Sequence, residues 1–211
     1  LTPATAFLTI AKGASKARPG DTVMVLTGNF AETVKPSFSG LAGYPITFTA
    51  NPGVIVTGEA GNSANGGAFR LSGFSYIVIN GFTIQNTADY GIYALNSSYL
   101  TITNNRVTSA GTPGSVIREG IFLLTTTNST ISGNTTDHNS STGIELLNGS
   151  NYNVVSDNIS YANAKETVSQ ATGIECRNSS NNTVIHNIVY ANEDTGLNFY
   201  AGAASNTVIG N

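Results

Sequence analysis

The sequence of 211 residues contains no tryptophan and only one cysteine and one methionine. The single Cys176 excludes an internal disulfide, and because it falls in an apolar column of the repeat described below, we expect a buried, inert thiol. Only 10% of the residues are charged, and the net charge is −3. That is too little charge of either sign to favour nucleic acid or an anionic membrane as a partner. No apolar run approaches the roughly 20 residues that span a bilayer, so we expect no membrane insertion.

Glycine is abundant, with 23 residues, and Asn, Ser and Thr crowd the second half of the chain. Low charge combined with an uncharged polar surface is typical of extracellular proteins, which predicts a secreted or cell-surface location. The length suits one large domain with a continuous core.

An internal repeat emerges when the chain is aligned on two residue types. A glycine opens each of five copies, which begin Gly91-Ile92-Tyr93-Ala94, Gly120-Ile121-Phe122-Leu123, Gly143-Ile144-Glu145-Leu146, Gly173-Ile174-Glu175-Cys176 and Gly196-Leu197-Asn198-Phe199. Closing asparagines recur at steps of 29, 25, 29, 24, 29 and 24 residues, at Asn51, Asn80, Asn105, Asn134, Asn158, Asn187 and Asn211. An apolar residue stands three positions before each of them, at Phe48, Ile77, Ile102, Ile131, Val155, Val184 and Val208.

A period of this length with short alternating segments predicts an all-β fold, a single-stranded right-handed parallel β-helix or solenoid. Leucine-rich repeats are the rival solenoid, but neither their leucine consensus nor a helix in each repeat is present. Since side chains alternate between the faces of a strand, one stack should point inward, namely Ile92, Ile121, Ile144, Ile174 and Leu197. A second stack should point outward, namely Tyr93, Phe122, Glu145, Glu175 and Asn198.

The asparagine column has a physical role in this fold. A buried turn leaves backbone N–H and C=O groups that need partners. A stacked Asn amide can bond these groups and the Asn of the next coil, so we interpret the column as structural.

The two ends of the chain differ from the repeat. Ile10, Ala11, Ala14 and Ala17 fall at helical spacing, with Thr9 as N-cap, which predicts a short capping helix in an N-terminal cap over residues 1–20. Coils of the β-helix should fill residues 21–211. The chain stops at Asn211 within a coil, so we expect an uncapped end whose open strand edge favours self-association.

Segments of the first half resemble the pectate-lyase-like superfamily of β-helix proteins. The segment ARPGDTVMVLTGNFAETV (Ala17 to Val34) is similar to that group's N-terminal cap and first strand. The segments YPITFTANPGVIVTG and FRLSGFSYIVINGFTIQNT resemble coils of the family that contains chondroitinase B and alginate lyases, and of its pectate-lyase relatives. Together these segments cover about a third of the chain.

A later segment, YANEDTGLNFYAGAASNTVIGN, is similar to a coil of calcium-dependent pectate lyases. The resemblance implies that acidic residues on this and later coils bind Ca²⁺, and that a later basic residue abstracts the proton. In this sequence the resemblance implies a role in Ca²⁺ binding for Asp194, and less directly for Glu193 and Asn198.

The outward stack supplies the other candidate site residues. Strands of neighbouring coils lie about 4.8 Å apart, so Glu145 and Glu175 should be stacked carboxylates on an exposed face. Such a pair raises one pKa by repulsion or binds a hard cation such as Ca²⁺, with Asn198 and Asp194 beside it. Arg177 lies on the same face as Glu175, and could pair with the carboxylates, bind a substrate carboxylate or act as a base. The alternative is a surface Glu–Arg ladder without a catalytic role.

Extra residues recur after Val107 and after Tyr161, between a closing asparagine and the next glycine. Insertions on one side of a solenoid often mark its binding face. They carry Arg118 and Glu119 as candidate substrate-binding residues and Lys165 as a second candidate base. Tyr93 and Phe122 could stack on sugar rings, or could be ordinary strand packing.

Two functions follow from these patterns. The first is a secreted or surface polysaccharide-lyase-like protein that cleaves an acidic polysaccharide by β-elimination, with Ca²⁺ as a possible cofactor. The alternative is a non-catalytic structural β-helix that assembles head-to-tail into a surface assembly or filament.

Overall fold

The protein folds as a parallel β-helix. The structure is a computed structural model that describes residues 5–59, 67–111, 118–164 and 170–211. A single short helix near the N-terminus, α1 (Ile10–Lys16), precedes the strands. The strands are, in chain order, β1 (Thr22–Val25), β2 (Gly28–Phe30), β3 (Ile46–Ala50), β4 (Val54–Val56), β5 (Phe69–Ser72), β6 (Ile77–Asn80), β7 (Thr83–Gln85), β8 (Ile92–Leu95), β9 (Thr101–Thr103), β10 (Arg106–Thr108), β11 (Ile121–Leu124), β12 (Thr130–Ser132), β13 (Thr135–Asp137), β14 (Ile144–Leu147), β15 (Val154–Ser156), β16 (Ile159–Tyr161), β17 (Ile174–Arg177), β18 (Thr183–Ile185), β19 (Ile188–Tyr190), β20 (Leu197–Tyr200) and β21 (Thr207–Ile209).

The strands form three sheets, each with one strand from successive coils. The first sheet runs β1-β3-β6-β9-β12-β15-β18-β21, the second β2-β4-β7-β10-β13-β16-β19, and the third β5-β8-β11-β14-β17-β20. Neighbouring strands within each sheet are parallel, because each coil repeats the path of the one before it. In the part of the chain that the structure describes, no helix is long and apolar enough to cross a membrane.

The predicted capping helix is confirmed. Thr9 is its N-cap, and the Thr9 hydroxyl accepts a hydrogen bond from the Lys12 N–H. The helix buries Ile10 and Ala14 in the core of the first coil. Gly13 allows the close approach, since a Cβ there would lie 2.9 Å from Cγ1 of Val23.

The predicted inward stack is also confirmed. Ile92, Ile121, Ile144, Ile174 and Leu197 are in register along the third sheet. The four isoleucines are completely buried, and Leu197 is partly buried. Cys176 is buried in the same sheet, as expected, and burial raises the pKa of its thiol to about 12.

The opening glycines of the repeat leave room for the neighbouring coil. A Cβ at Gly120 would lie 2.7 Å from the side-chain nitrogen of Asn139 and 2.8 Å from the carbonyl oxygen of Gly143. A side chain would therefore push the coils apart at this corner, which explains why glycine recurs there.

The alignment of the second coil was wrong by two residues. Ile79, and not Ile77, pairs with Phe48 and Ile102, and Asn80 pairs with Thr103 at the strand end. Phe82 takes the position next to Asn105, whose Oδ1 accepts a hydrogen bond from the Phe82 N–H. Asn80 therefore stands outside the asparagine column. Aromatic packing fills this part of the core instead, with ring centroids 5.9 Å apart for Phe48 and Phe69, and 4.9 Å apart for Phe69 and Phe82.

From the third coil onward the asparagine ladder is confirmed. It consists of Asn105, Asn134, Asn158, Asn187 and Asn211, each bonded through its amide to the next. Asn158 is typical, because its Oδ1 accepts from both the backbone N–H and the amide of Asn134, at 2.9 and 3.0 Å. Its Nδ2 donates to the Ile131 carbonyl oxygen and to Asn187. The side-chain amides of the ladder thereby bond backbone groups of the buried turn.

Two further ladders escaped the sequence alignment. They are Asn139, Asn163 and Asn192, and Asn153, Asn182 and Asn206. The first connects the second sheet to the third, and the other connects the third sheet to the first.

Val208 and Ile209 of β21 are about half exposed, at 46% and 53%. Self-association through this coil stays a prediction.

We predict that Asn158→Ala lowers the free energy of unfolding by about 3 kcal/mol, because it leaves the buried Asn134 N–H without its acceptor and removes the side-chain donor to the Ile131 carbonyl oxygen. Urea unfolding followed by circular dichroism measures the loss. Asn29→Ala is the matched control, since Asn29 is exposed in β2 and its replacement should change stability by no more than about 0.5 kcal/mol. Equal effects at the two positions would contradict a structural role for the ladder.

Candidate functional site

The outer face of the third sheet brings together most of the residues singled out above. One outward row lies in register along it, namely Arg70, Tyr93, Phe122, Glu145, Glu175 and Asn198. A parallel row lies two residues further along each strand, namely Ser72, Leu95, Leu124, Leu147, Arg177 and Tyr200. We call the first the carboxylate row and the second the arginine row.

The two stacked carboxylates are buried, which corrects the expectation of an exposed face. Glu145 is 3% exposed and Glu175 is 6% exposed. Arg177 lies across them from the neighbouring row, with its Nη2 2.8 Å from Glu145 Oε1 and its Nε 3.7 Å from Glu175 Oε1. The Asn198 amide lies on the other side of Glu175, and its Nδ2 is 3.4 Å from Oε2. These contacts replace water around both carboxyl groups.

Arg177 itself stays accessible, with 36% of its side chain exposed. Its Nη1 donates to the Tyr200 hydroxyl at 3.0 Å, and its Cζ lies 5.7 Å from the Tyr200 ring centroid. Tyr200 is 41% exposed. The guanidinium is therefore held in place from two sides; its Nε is buried, while more than a third of the side chain as a whole stays exposed.

The surroundings of Glu145 favour its protonated form. Burial, with the charge of Glu119, raises the pKa of Glu145 to about 8, although Arg177 acts in the opposite direction. Glu145 can therefore keep its proton at neutral pH and donate it. Burial also raises the pKa of Glu119.

The other end of the carboxylate row is aromatic. Tyr90, Tyr93 and Phe122 are mutually stacked, with centroid distances of 4.9 to 5.7 Å. The Arg118 guanidinium lies over Tyr90 at 4.9 Å, and the Arg70 guanidinium lies over Tyr93 at 5.1 Å. Phe122 is almost completely buried, whereas Tyr93 is partly exposed. Packing therefore explains Phe122, and the ring of Tyr93 is the part of the stack that a ligand can reach.

Arg118 and Glu119, the candidate substrate-binding residues of the first insertion, are held by contacts within the protein. Arg118 forms an ion pair with the buried Asp89. Glu119 is only 6% exposed and lies directly before β11, where its carbonyl oxygen accepts from the Gly91 N–H. Glu119 is therefore buried, whereas Arg118 is partly exposed, with 19% of its side chain accessible.

The remaining predicted site residues are not joined to this cluster. Asp194 is exposed, and its backbone N–H donates to the Ala171 carbonyl oxygen. Lys165 lies outside the described residues. Within the four described stretches of the chain, no group of three or more His, Cys, Asp or Glu side chains could hold a metal ion. Calcium binding stays a prediction.

Comparison with known proteins identifies the family. Residues 21–211 match the family described as "Right handed beta helix region". The chain belongs to this family. The match covers the predicted coils, and it confirms the right-handed parallel β-helix.

This β-helix chain is 34% identical over 113 residues to the uncharacterised protein YwoF of Bacillus subtilis (strain 168), a match over 48% of this chain and 24% of that protein. Among solved structures it is similar to the periplasmic alginate epimerase AlgG (TM-score 0.63, 21% identity, 86% of this chain and 43% of that one). It is also similar to pectate lyase Pel9A (TM-score 0.57, 20% identity, 90% and 44%). The chain thus spans less than half the length of these three relatives, and the two solved structures show the fold alone.

Several site residues were missed from the sequence. Arg70 and Tyr200 lie in the outward rows, but Ala68 replaces the opening glycine of the Arg70 copy, so the alignment did not reach that copy. Tyr200 belongs to the last aligned copy, and extending that copy by one residue would have found it. Asp89 and Tyr90 lie in a turn, where no strand alternation indicates direction.

We predict that raising the pH from about 5 to about 8 destabilises the protein, and that Glu145→Gln weakens this dependence. The ordinary pKa of Glu145 is 4.5 and its folded value is about 8. Between these values the folded chain holds a proton that the unfolded chain has released, so rising pH favours unfolding. Melting temperatures across this range measure the effect. Glu59→Gln, at an exposed position, should keep the wild-type profile, and an unchanged profile in Glu145→Gln would show that Glu145 ionises normally.

Proposed function

We propose that this protein acts on an acidic polysaccharide, by lyase-type β-elimination, at the carboxylate and arginine rows of the third sheet. The observation that carries the proposal is the position of Arg177, which is accessible to solvent and held by a buried pair of carboxyl groups. A guanidinium fixed in this way suits the bidentate binding of a uronate carboxylate.

β-Elimination from a uronate needs three groups. A cation must bind the C5 carboxylate, a base must take the C5 proton, and an acid must protonate the leaving oxygen as the C4–O bond breaks and the C4–C5 double bond forms. We assign Arg177 to the carboxylate. Burial acts to lower the pKa of Arg177, but Glu145 and Tyr200 raise it overall, and a guanidinium that stays charged is a poor base.

Glu145 is assigned to the acid, because its raised pKa keeps a proton available near neutral pH. Lys165 stays the predicted base. Tyr93 supports binding, since its partly exposed ring lies two coils from Glu145 in the same row, which is about 9.6 Å at the usual strand spacing.

The similar structures support a polysaccharide as the ligand. Their names describe an alginate epimerase, a pectate lyase and an alginate lyase, and both alginate and pectate are polymers of uronic acids. Because such polymers lie outside the cell membrane, we also propose a periplasmic, secreted or surface location.

We predict that the protein releases unsaturated uronates from alginate or pectate, measured by their ultraviolet absorbance. Arg177→Ala should lower kcat/KM about 100-fold or more, as the loss of a preorganised charge contact does. Glu145→Gln should lower kcat with little change in KM, because the amide keeps the shape but cannot give up a proton.

Arg18→Ala is the matched control for this experiment, since Arg18 is an exposed arginine at the N-terminal end of the solenoid. It should retain full activity. Cleavage that survives Arg177→Ala would contradict the assignment, and a wild-type chain that binds these polymers without cleaving them would contradict the lyase chemistry.

Calcium binding is a separate proposal at the same site. The carboxyl groups of Glu145 and Glu175, with Asn198, offer oxygen ligands of the kind that Ca²⁺ prefers, but Arg177 already neutralises the pair. If Ca²⁺ binds, millimolar Ca²⁺ should raise the melting temperature, and Glu175→Gln should abolish the rise. An unchanged melting temperature in Ca²⁺ would assign the carboxyl groups to Arg177 alone.

A further inference from the structure

A column of turn residues lies beside the candidate site, between the third and the first sheet. Its members occupy equivalent positions in successive coils, namely Tyr76, Tyr99, Asn128, Tyr152, Asn181 and Ser205. The backbone establishes this register. The N–H of each of the first five donates to the carbonyl oxygen of the residue just before the next member, at Ser98, Thr127, Asn151, Ser180 and Ala204.

All six residues have a left-handed backbone conformation, with φ between 52° and 60°. Asparagine adopts this conformation readily, whereas a bulky side chain rarely does. The chain nevertheless has tyrosine at three of the six positions. Burial does not compensate at two of them, because Tyr99 is 47% exposed and Tyr152 is 59% exposed.

The first two tyrosines show how rings are placed in this column. The rings of Tyr76 and Tyr99 are parallel within 2°, and their centroids are 4.8 Å apart, which matches the spacing of the coils. A ring in the next coil would continue the stack. That position holds the short, exposed Asn128, whose Nδ2 donates to the Thr127 hydroxyl beside it. The next ring belongs to Tyr152, one coil further on.

The backbone register therefore leaves room for one ring between Tyr99 and Tyr152. Two coil steps separate Tyr99 from Tyr152, which is about 9.6 Å at the usual strand spacing. A ring placed midway would lie about 4.8 Å from each tyrosine, within the range of stacking contacts. We call this space the Asn128 gap.

We infer that the Asn128 gap is a binding subsite for one pyranose ring of a polysaccharide, held between Tyr99 and Tyr152. Tyrosine offers an apolar ring face with a polar tip, which suits the C–H face and the hydroxyl edge of a sugar. The Asn128 amide and the Thr127 hydroxyl supply hydrogen-bonding groups at the base of the gap.

The chemistry of the column favours a sugar over other flat ligands. None of its six residues is charged, so the column offers aromatic faces and hydrogen-bonding groups, which suit the C–H face and the hydroxyl groups of a sugar ring. The inference does not require catalysis at the carboxylate row, although it shares with that proposal a polysaccharide ligand.

Filling the gap tests the inference without removing any ring. Asn128→Tyr should complete the stack of Tyr76, Tyr99 and Tyr152, and should be tolerated because tyrosine already occupies equivalent positions. The probes are oligomers of mannuronate, of galacturonate and of xylose, titrated by calorimetry and by NMR. We expect Asn128→Tyr and Tyr152→Ala each to weaken binding of the oligomer that the wild type binds by about tenfold or more.

The matched control is Asn181→Tyr, which adds the same ring to the same column on the far side of Tyr152. It should bind the oligomer as the wild type does. Unchanged binding in Asn128→Tyr would overturn the inference, and so would equal losses in the two Asn→Tyr variants or a wild type that binds none of the probes. Variants with the melting temperature of the wild type would exclude misfolding as the cause of a loss of binding.

The outcome is separable from that of the cleavage assay. In an Arg177→Ala background, which should abolish cleavage, Asn128→Tyr should still weaken binding, because the gap does not include Arg177. Binding that depends on the gap in a chain without lyase activity would refute the proposed function and support the subsite.

Discussion

The fold and the candidate site both depend on the hydrogen-bonded spacing between coils. Each side chain of one coil lies about 4.8 Å from its equivalent in the next coil. The interaction between two identical side chains at that distance is therefore repeated along the molecule. Isoleucine packs on isoleucine, as Ile121 does on Ile144. An asparagine amide both donates and accepts, so it can bond to another copy of itself, as Asn134 does with Asn158. Columns of apolar side chains and columns of amides therefore stabilise a solenoid through contacts between identical residues.

A column of carboxylates cannot stabilise itself in this way, because stacked carboxylates repel each other. The residues around the pair must offset this repulsion. Stacking Glu145 on Glu175 places like charges one coil apart, and burial adds a desolvation cost to both. The chain relieves the conflict in two ways, since Arg177 lies across the pair and Glu145 takes a raised pKa. The buried pair thus holds a fixed cation, while burial and the charge of Glu119 raise the pKa of Glu145 and keep a proton available. Both are among the three groups that the proposed β-elimination needs, and both are present before any substrate is bound.

The repeat made most of the fold predictable, whereas the site was predictable only in outline. Gly91 and its equivalents establish the register because coil contact excludes a side chain there, and alternation then places Ile92 inward and Tyr93 outward. The alignment failed where a different residue type replaces the repeat residue. At Phe82 an aromatic ring fills the place that an asparagine amide takes in later coils. Burial of Glu145 could not be predicted, because it depends on the side-chain path of Arg177 and on Glu119, which comes from a turn. Alternation within strands carries no information about turn residues such as Asp89 and Tyr90.

The turns are therefore where this architecture has freedom to acquire binding sites. The inner ladders satisfy the backbone at each corner, as Asn153 does through its bonds to Ser129 and to the Thr126 carbonyl oxygen. Because the buried asparagines stabilise the backbone of the turn, we expect the neighbouring outward-facing residue to tolerate substitution. Tyr152 stands directly beside Asn153, and it is both exposed and in a backbone conformation that tyrosine rarely adopts. A largely exposed tyrosine in this conformation is the observation from which we infer a contact with a ligand.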